Sequence, residues 1–470
     1  MGRLDCSAGR FGVSEKTYRA WQPDQAWLLP PSPQDWLPDG HLVYFLMDAV
    51  RELDIGSITA HYERELRGYP PFHPRMMLTL LIFNYATGTR SSRKIMARCE
   101  QDVACRVIVG EDTPDFHAIS EFRRRHLAAF ETLFVEVLKL ASASGLLKVG
   151  RLALDGTKIK ANASRHGLAS NRAMSYERMQ TEEIRLQQEI RDLLAQAEAE
   201  DQAEDAQHGA NRRGDELPDE LHRRESRLKK IREAKAALEA EARARAATAN
   251  ESQNAARVAE GKEPKAVDLD QVRPEAKAQR NFTDPDSRIM PASNKGWDQC
   301  GNAQALVDES QLIVAADVTQ QANDVQQVKP LLDRMESHLQ AVAISDRPRE
   351  FLGDAGYFSD DNAERVRLHG MVPYIATQRL KHHEELPPVP RGRIPKSLTP
   401  KQRMARTLRT KKGRETYQKR KGQVEPVFGQ IKHAGGFRQF AMRGLSQMKA
   451  EWQLVCLTHN LLKLWRAAPA

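Results

Sequence analysis

Three carboxylates stand where an ordinary structural acid is not expected. In "LALDG" (152–156) an apolar run ends on Asp155, and Gly156 follows at once. In "FLGDAGY" (351–357) Asp354 ends a second apolar run and precedes Ala355-Gly356-Tyr357. Both aspartates read as strand-end acids beside a small residue, placed to point into the crevice at a sheet edge where ligands bind. In "VEPVFGQIK" (424–432) Glu425 is flanked by Val424, Val427, Phe428 and Ile431, which reads as a buried helix face. An unpartnered acid there is costly or neutralises itself. A divalent cation removes the penalty. Three carboxylates from distant segments suit Mg²⁺ or Mn²⁺ better than zinc, which takes His or Cys. Two such ions would activate an oxygen nucleophile and stabilise the leaving oxygen of a phosphodiester.

Such a site needs a polyanion, and the charge agrees. The 470 residues carry a formal charge of +9 and a pI of about 9.2. From Arg391 to Lys421 the only acid is Glu415. Nucleic acid is the natural partner of such a segment. The five cysteines, Cys6, Cys99, Cys105, Cys300 and Cys456, are scattered and never spaced C-x-x-C. This argues against a disulfide framework or zinc site and for a reducing cytoplasm. No apolar run is long enough to span a membrane.

The elements that would position the acids follow from the pattern. Residues 1–35 read as an arm. Residues 36–147 read as an all-α domain. It contains an apolar helix at 73–88, a second at 91–110 opened by Ser91 and Ser92, and a longer one at 113–147 bearing Arg123, Arg124 and Arg125. Two shorter helices feeding a longer basic one fit a helix-turn-helix-like DNA-binding unit. In 177–249, Leu186, Ile190 and Leu193, then Leu221, Leu228, Ile231 and Leu238, recur at heptad-like spacing. This reads as an antiparallel helical hairpin with coiled-coil seams, inserted over 171–280. Beyond it, strands at 303–308, 311–318, 350–360 and 371–378 alternate with helices at 323–340, 359–370 and 448–465, so 148–170 and 281–470 read as one α/β unit.

The stretches "FRRRHL", "LALDGTKIKANAS", "TDPDSRIM", "ANDVQQVKPLL", "FLGDAGYFS" and "YQKRKGQVEPVFGQIK" together resemble bacterial insertion-sequence transposases of the DDE class, in the broad IS4/IS5-like group and most closely the IS1182 family. The resemblance runs through most of the chain in the family's order. It implies an RNase H-like catalytic core, a mixed sheet flanked by helices, with Asp155, Asp354 and Glu425 as the catalytic and metal-binding triad for two Mg²⁺ or Mn²⁺ ions. It implies cutting of DNA at the element's terminal repeats, joining of the 3′-hydroxyl ends to target DNA, and a homodimer on double-stranded DNA in the cytoplasm, at the nucleoid. The family carries Tyr, Arg and Lys around the glutamate. Tyr417, Arg420 and Lys432 resemble these. In the strict Y-x2-R-x3-E-x6-K form Tyr and Arg would fall at Gln418 and Lys421, so Lys421 is a further candidate cation.

Trp297 could stack on a base, since an aromatic face accepts any of them. Asp284 and Asp286 in "DPDSR" could approach the metals or simply form a turn. His166, His382 and His383 fit no zinc spacing. Two other functions share these residues: a non-catalytic DNA-binding repressor derived from a transposase, and a stand-alone metal-dependent nuclease.

Overall fold

The computed structural model describes residues 33–63, 70–110, 112–163, 173–208, 219–291, 296–344, 346–378, 388–393, 395 and 397–468. Most of the expected arm, Cys6, His166, His382 and His383 lie outside these.

Seven helices come first: α1 (Leu42–Glu52), α2 (Gly56–Tyr62), α3 (Pro74–Ala86), α4 (Ser92–Gln101), α5 (Val103–Val109), α6 (Phe116–Arg125) and α7 (Ala129–Ala143). Helix α3 is buried along almost its whole length. The expected helix over 113–147 is two. It breaks at His126–Ala128, where the buried His126 ring meets the Tyr62 hydroxyl at 3.0 Å.

The chain then lays down β1 (Arg151–Lys160) and leaves for an excursion: β2 (Ala173–Ser175), α8 (Tyr176–His208), α9 (Asp219–Ala259) and β3 (Gln279–Asn281). Strands β2 and β3 pair antiparallel at its base. Leu186, Leu228, Ile231 and Leu238 pack with Met174, Tyr176 and Met179 in its seam. Cross-helix pairs such as Glu182–Arg227 and Glu183–Lys235 flank that seam.

The sheet is completed by β4 (Arg288–Pro291), β5 (Trp297–Val307), β6 (Ile313–Thr319), β7 (Glu350–Gly353) and β8 (Val372–Ile375), with α10 (Val328–Ala341) and α11 (Asp360–Leu368) between them. Helices α12 (Pro400–Arg409), α13 (Lys411–Gly429) and α14 (Leu445–Ala467) end the chain. The sheet is mixed. Its order is β6-β5-β1-β7-β8, with β4 beside the first residues of β5. Strand β5 pairs antiparallel with β1 and β6, whereas β7 is parallel to β1 and β8.

Side chains alternate across a strand, so β1 feeds two cores. Leu152 and Leu154 pack with Val328, Leu332, Phe351 and Val366 on the face covered by α10 and α11. Ala153 and Ile159 join Val424, Val427, Phe428 and Trp452 of α13 and α14 on the other. The N-terminal helices share this second core, so the two parts of the molecule are packed as one.

Candidate active site

Asp155 does not end its strand. It is the fifth of ten residues in β1, because β5 extends the pairing to Lys160. What ends beside it is the parallel partner: β7 pairs with β1 from Arg151 to Leu154, with Leu154 opposite Gly353. The next residues on the two strands are Asp155 and Asp354. Register alone therefore sets the two acids side by side at the centre of the sheet. Gly156 follows because β5 passes close: a Cβ there would sit 2.1 Å from Nε2 of Gln304. Asp354 caps the turn after β7, accepting from the Gly356 amide at 2.8 Å.

Alternation turns Asp155 toward α13. There Arg420 Nη1 donates to Asp155 Oδ2 at 3.2 Å, and the Gly156 amide donates to Oδ1 at 2.9 Å. Burial raises the Asp155 carboxyl above its usual range. Arg420 opposes the rise and the Asp354 charge adds to it. Burial likewise raises the Tyr417 phenol, with Arg420 opposing. Helix α13 runs past the sheet despite Pro426, which has no N–H for the Gly422 carbonyl. Gln311 Nε2 donates to that carbonyl instead, at 2.8 Å.

Glu425 is exposed, which corrects the expected buried placement. The buried stripe of α13 is Gln423, Val424, Val427 and Phe428. One residue is 100° of helix, so Glu425 turns off that stripe to its flank. It follows Lys421 by one turn, on the same ridge. Lys421 lines an open cleft of about 780 Å³ with Asp354, Ala376, Arg414, Tyr417 and Arg420. Lys432, seven residues beyond Glu425 in the π-turn Gln430–Ala434, has its pKa lowered by burial while the Asp155 charge pulls it back up. Glu425 is thus bracketed by residues that border the site.

The close pair Asp155 and Asp354, half-buried hard oxygen donors on adjacent strands, fits a divalent cation. Among the described residues no three His, Cys, Asp or Glu side chains form a group able to hold a metal. The pair is assembled, and the third acid stands apart from it.

The comparisons with known proteins bear on this arrangement. Residues 272–461 match the family described as "Transposase DDE domain", and residues 31–125 match "Transposase domain (DUF772)". Two segments of the chain are thus similar to transposase domain families. No curated protein and no solved structure matches it. The DDE-domain match spans β3 to most of α14, with Asp354 and Glu425, and begins after β1, the strand of Asp155.

Arg123, within the second match, is corrected from surface to interior. It is buried and donates to the Tyr85 hydroxyl (3.2 Å), the Arg90 carbonyl (2.8 Å) and Ser92 Oγ (3.4 Å). Tyr85 in turn donates to Glu451 of α14 at 3.0 Å. The partners of Arg123 lie on or between earlier helices and, through Tyr85, at the far end of the chain, so no local pattern around "FRRRHL" could reveal them. Arg124 and Arg125 project outward and pair with Glu121 on their own helix. Trp297 is 60% exposed at the start of β5. Asp284 and Asp286 accept from the backbone amides of Gly444 (3.2 Å) and Leu445 (2.8 Å), latching the "DPDSR" turn to the start of α14. The residues missed by sequence reasoning are Lys158, Gln304, Asp324 and Tyr357, a polar cluster behind the site. The one signal was Asp324 in "ANDVQQVKPLL".

Proposed function

We propose that the protein is an insertion-sequence transposase of the IS1182-like DDE group, built on an RNase H-like core, which cuts DNA at the element's terminal repeats and joins the freed 3′-hydroxyls to target DNA. The register that sets Asp155 beside Asp354 carries this reading. The strand order β6-β5-β1-β7-β8 supports the core assignment, with 148–170 and 281–470 as its segments, 171–280 as an inserted hairpin and 36–147 as the DNA-binding domain.

Asp155 and Asp354 would hold Mg²⁺ or Mn²⁺, with Glu425 the third ligand once α13 brings it in; the bound ions would supply an activated oxygen nucleophile and a stabilised leaving oxygen. Arg420 neutralises Asp155 in the free protein and is placed to meet a phosphate oxygen when that carboxylate takes another partner. Lys421 and Lys432 extend the positive edge along α13, and Tyr417 lines the cleft between them and Asp354. Trp297 offers an exposed ring to an unpaired base, and Arg124 and Arg125 an outward basic edge on α6. Paired ends require two active sites, hence a homodimer on double-stranded DNA, acting in the cytoplasm at the nucleoid.

The test is cleavage and joining of DNA bearing the element's ends, in Mg²⁺ or EDTA. Wild type is expected to cut and join only with Mg²⁺. Asp155→Asn, Asp354→Asn and Glu425→Gln are expected to bind the ends and not cut. Full metal-dependent cutting by all three variants would refute the site. Binding of ends by wild type with no cutting would make it a repressor.

A further inference from the structure

Behind the candidate active site, on the opposite face of β1, lies a polar cluster in which Asn302, Gln304 and Tyr357 are buried and Lys158 and Asp324 half-buried. Leu152, Leu154, Gly156 and Lys158 share that face by alternation. Three donors converge on one oxygen, Oδ1 of Asp324: Asn302 Nδ2 at 2.6 Å, Gln304 Nε2 at 2.9 Å and Lys158 Nζ at 3.1 Å. Asn302 and Gln304 are fully buried. Gln304 also donates to Asn302 Oδ1 at 2.9 Å and accepts from the Tyr357 hydroxyl at 2.5 Å. Asn362 ties the two turns together, donating to the Val325 carbonyl at 2.6 Å and the Tyr357 carbonyl at 2.8 Å.

These bonds connect the parts that set the acid pair. Lys158 belongs to β1, three residues after Asp155. Gln304 belongs to β5, opposite Gly156. Tyr357 ends the turn that Asp354 begins. The second oxygen of Asp324 faces the same turn: a Cβ at Gly356 would lie 3.1 Å from Asp354 Oδ1 and 3.6 Å from Asp324 Oδ2. The Lys158–Asp324 ion pair is half-buried, and a partly exposed pair contributes little to stability by itself. What a fully bonded network does supply is a single geometry. Here that geometry is the position of the Asp354 turn relative to β1.

We propose that Asp324 is a positioning residue: with Lys158, Gln304 and Tyr357 it clamps the Asp354 turn against β1, so that Asp354 and Asp155 present their carboxylates to one divalent cation. This rests on the reading of Asp155 and Asp354 as the metal-binding pair. Asp324 acts through the turn and touches neither metal nor DNA.

The experiment compares the full-length wild type with Asp324→Asn, Tyr357→Phe and Asp155→Asn. Three quantities are read: melting temperature, affinity for end DNA by fluorescence anisotropy, and affinity for Mn²⁺ by titration calorimetry. Supporting groups around a metal ligand typically alter affinity about 10- to 100-fold. Asp324→Asn is expected to weaken Mn²⁺ binding by about 10-fold or more and Tyr357→Phe by less, both with unchanged DNA affinity. A purely structural role would lower the melting temperature and leave the Mn²⁺ affinity of the folded protein alone. A folded Asp324→Asn with wild-type Mn²⁺ affinity overturns the proposal. If Asp324→Asn does not fold, Tyr357→Phe decides on the same criterion. Loss of Mn²⁺ binding in Asp155→Asn alone leaves the metal pair standing and removes the clamp. Unchanged Mn²⁺ binding in Asp155→Asn removes the reading of the pair itself.

Discussion

Replacing Arg123 by Met separates two roles for the basic run on α6. Arg123 is 7% exposed and contributes three hydrogen bonds, and its charge lowers the pKa of Glu451, which burial raises. Glu451 is fully buried and accepts from the Tyr85 hydroxyl and from the amides of Ala441 (2.9 Å) and Met442 (3.2 Å). Removing the cation leaves a buried carboxylate without its counter-charge. Such half-removals cost about 3–5 kcal/mol. At about 2.1 cal/mol/K per residue, a packed unit of this length shifts by about 1 °C per kcal/mol, so melting should fall by roughly 3–5 °C. Met fills much of the arginine stem's volume, so the cost is chiefly electrostatic. Glu451→Gln removes the charge that needs Arg123. The double variant should therefore recover part of the loss, a coupling in the range of about 0.5–3 kcal/mol for residues in one network. Thermal unfolding by differential scanning calorimetry gives the stabilities, and DNA binding at several salt concentrations gives the phosphate contacts. Arg123→Met should leave the slope of log affinity against log salt unchanged. A variant that melts within 1 °C of wild type and binds DNA with a shallower slope, by about 0.9, would show that Arg123 contacts phosphate and that the buried network is wrong.

Lys421→Ala and Lys432→Ala should each make that salt slope shallower by about 0.9 with little change in melting, since each would remove one phosphate contact. Gly156→Ala should cost about 1–3 kcal/mol by overpacking and abolish cutting, because the added methyl collides with Gln304 2.1 Å away; melting and cleavage assays on one sample check both. Stability should fall in acid through buried histidines. Burial pulls His459 and His126 down to about 4, against an unfolded value near 6.5. The fold thus favours the neutral ring. Its full stability is present above pH 6.5 and is lost as pH falls toward 4, by up to about 3 kcal/mol for His459 at about 1.4 kcal/mol per pKa unit. Chemical denaturation at pH 7 and pH 4.5 should show the loss, and His459→Gln should reduce it.

Local signals in the sequence carried the elements that local physics sets. Ser359 opens α11 and accepts from the Asn362 amide, as a Ser before an acidic first turn should. Heptad-like spacing located the hairpin seam, because leucines at those intervals share a helix face. What escaped was decided at a distance or by a single residue of phase. The end of "LALD" reads as a strand end, but β5 continues the pairing to Lys160, and nothing near Asp155 encodes the length of β5. The neighbours of Glu425 are apolar, yet the buried stripe passes through Val424 before it and Val427 after it and leaves Glu425 and Pro426 exposed. The basic segment after Arg391 carries a capping box, Thr399 with Gln402, that starts α12 and went unread among the charges. The cluster at Asp324 joins four separate segments, and of its members only Asp324 lay in a stretch that the sequence singled out.

The most direct test of the central claim is an electron paramagnetic resonance count of Mn²⁺ bound to the protein on end DNA. Two bound ions per chain are expected for wild type, and loss of both from Asp155→Asn and Asp354→Asn at equal DNA occupancy. A wild-type complex that binds no Mn²⁺, or aspartate variants that bind it as wild type does, would contradict the pairing of these two carboxylates as a metal site.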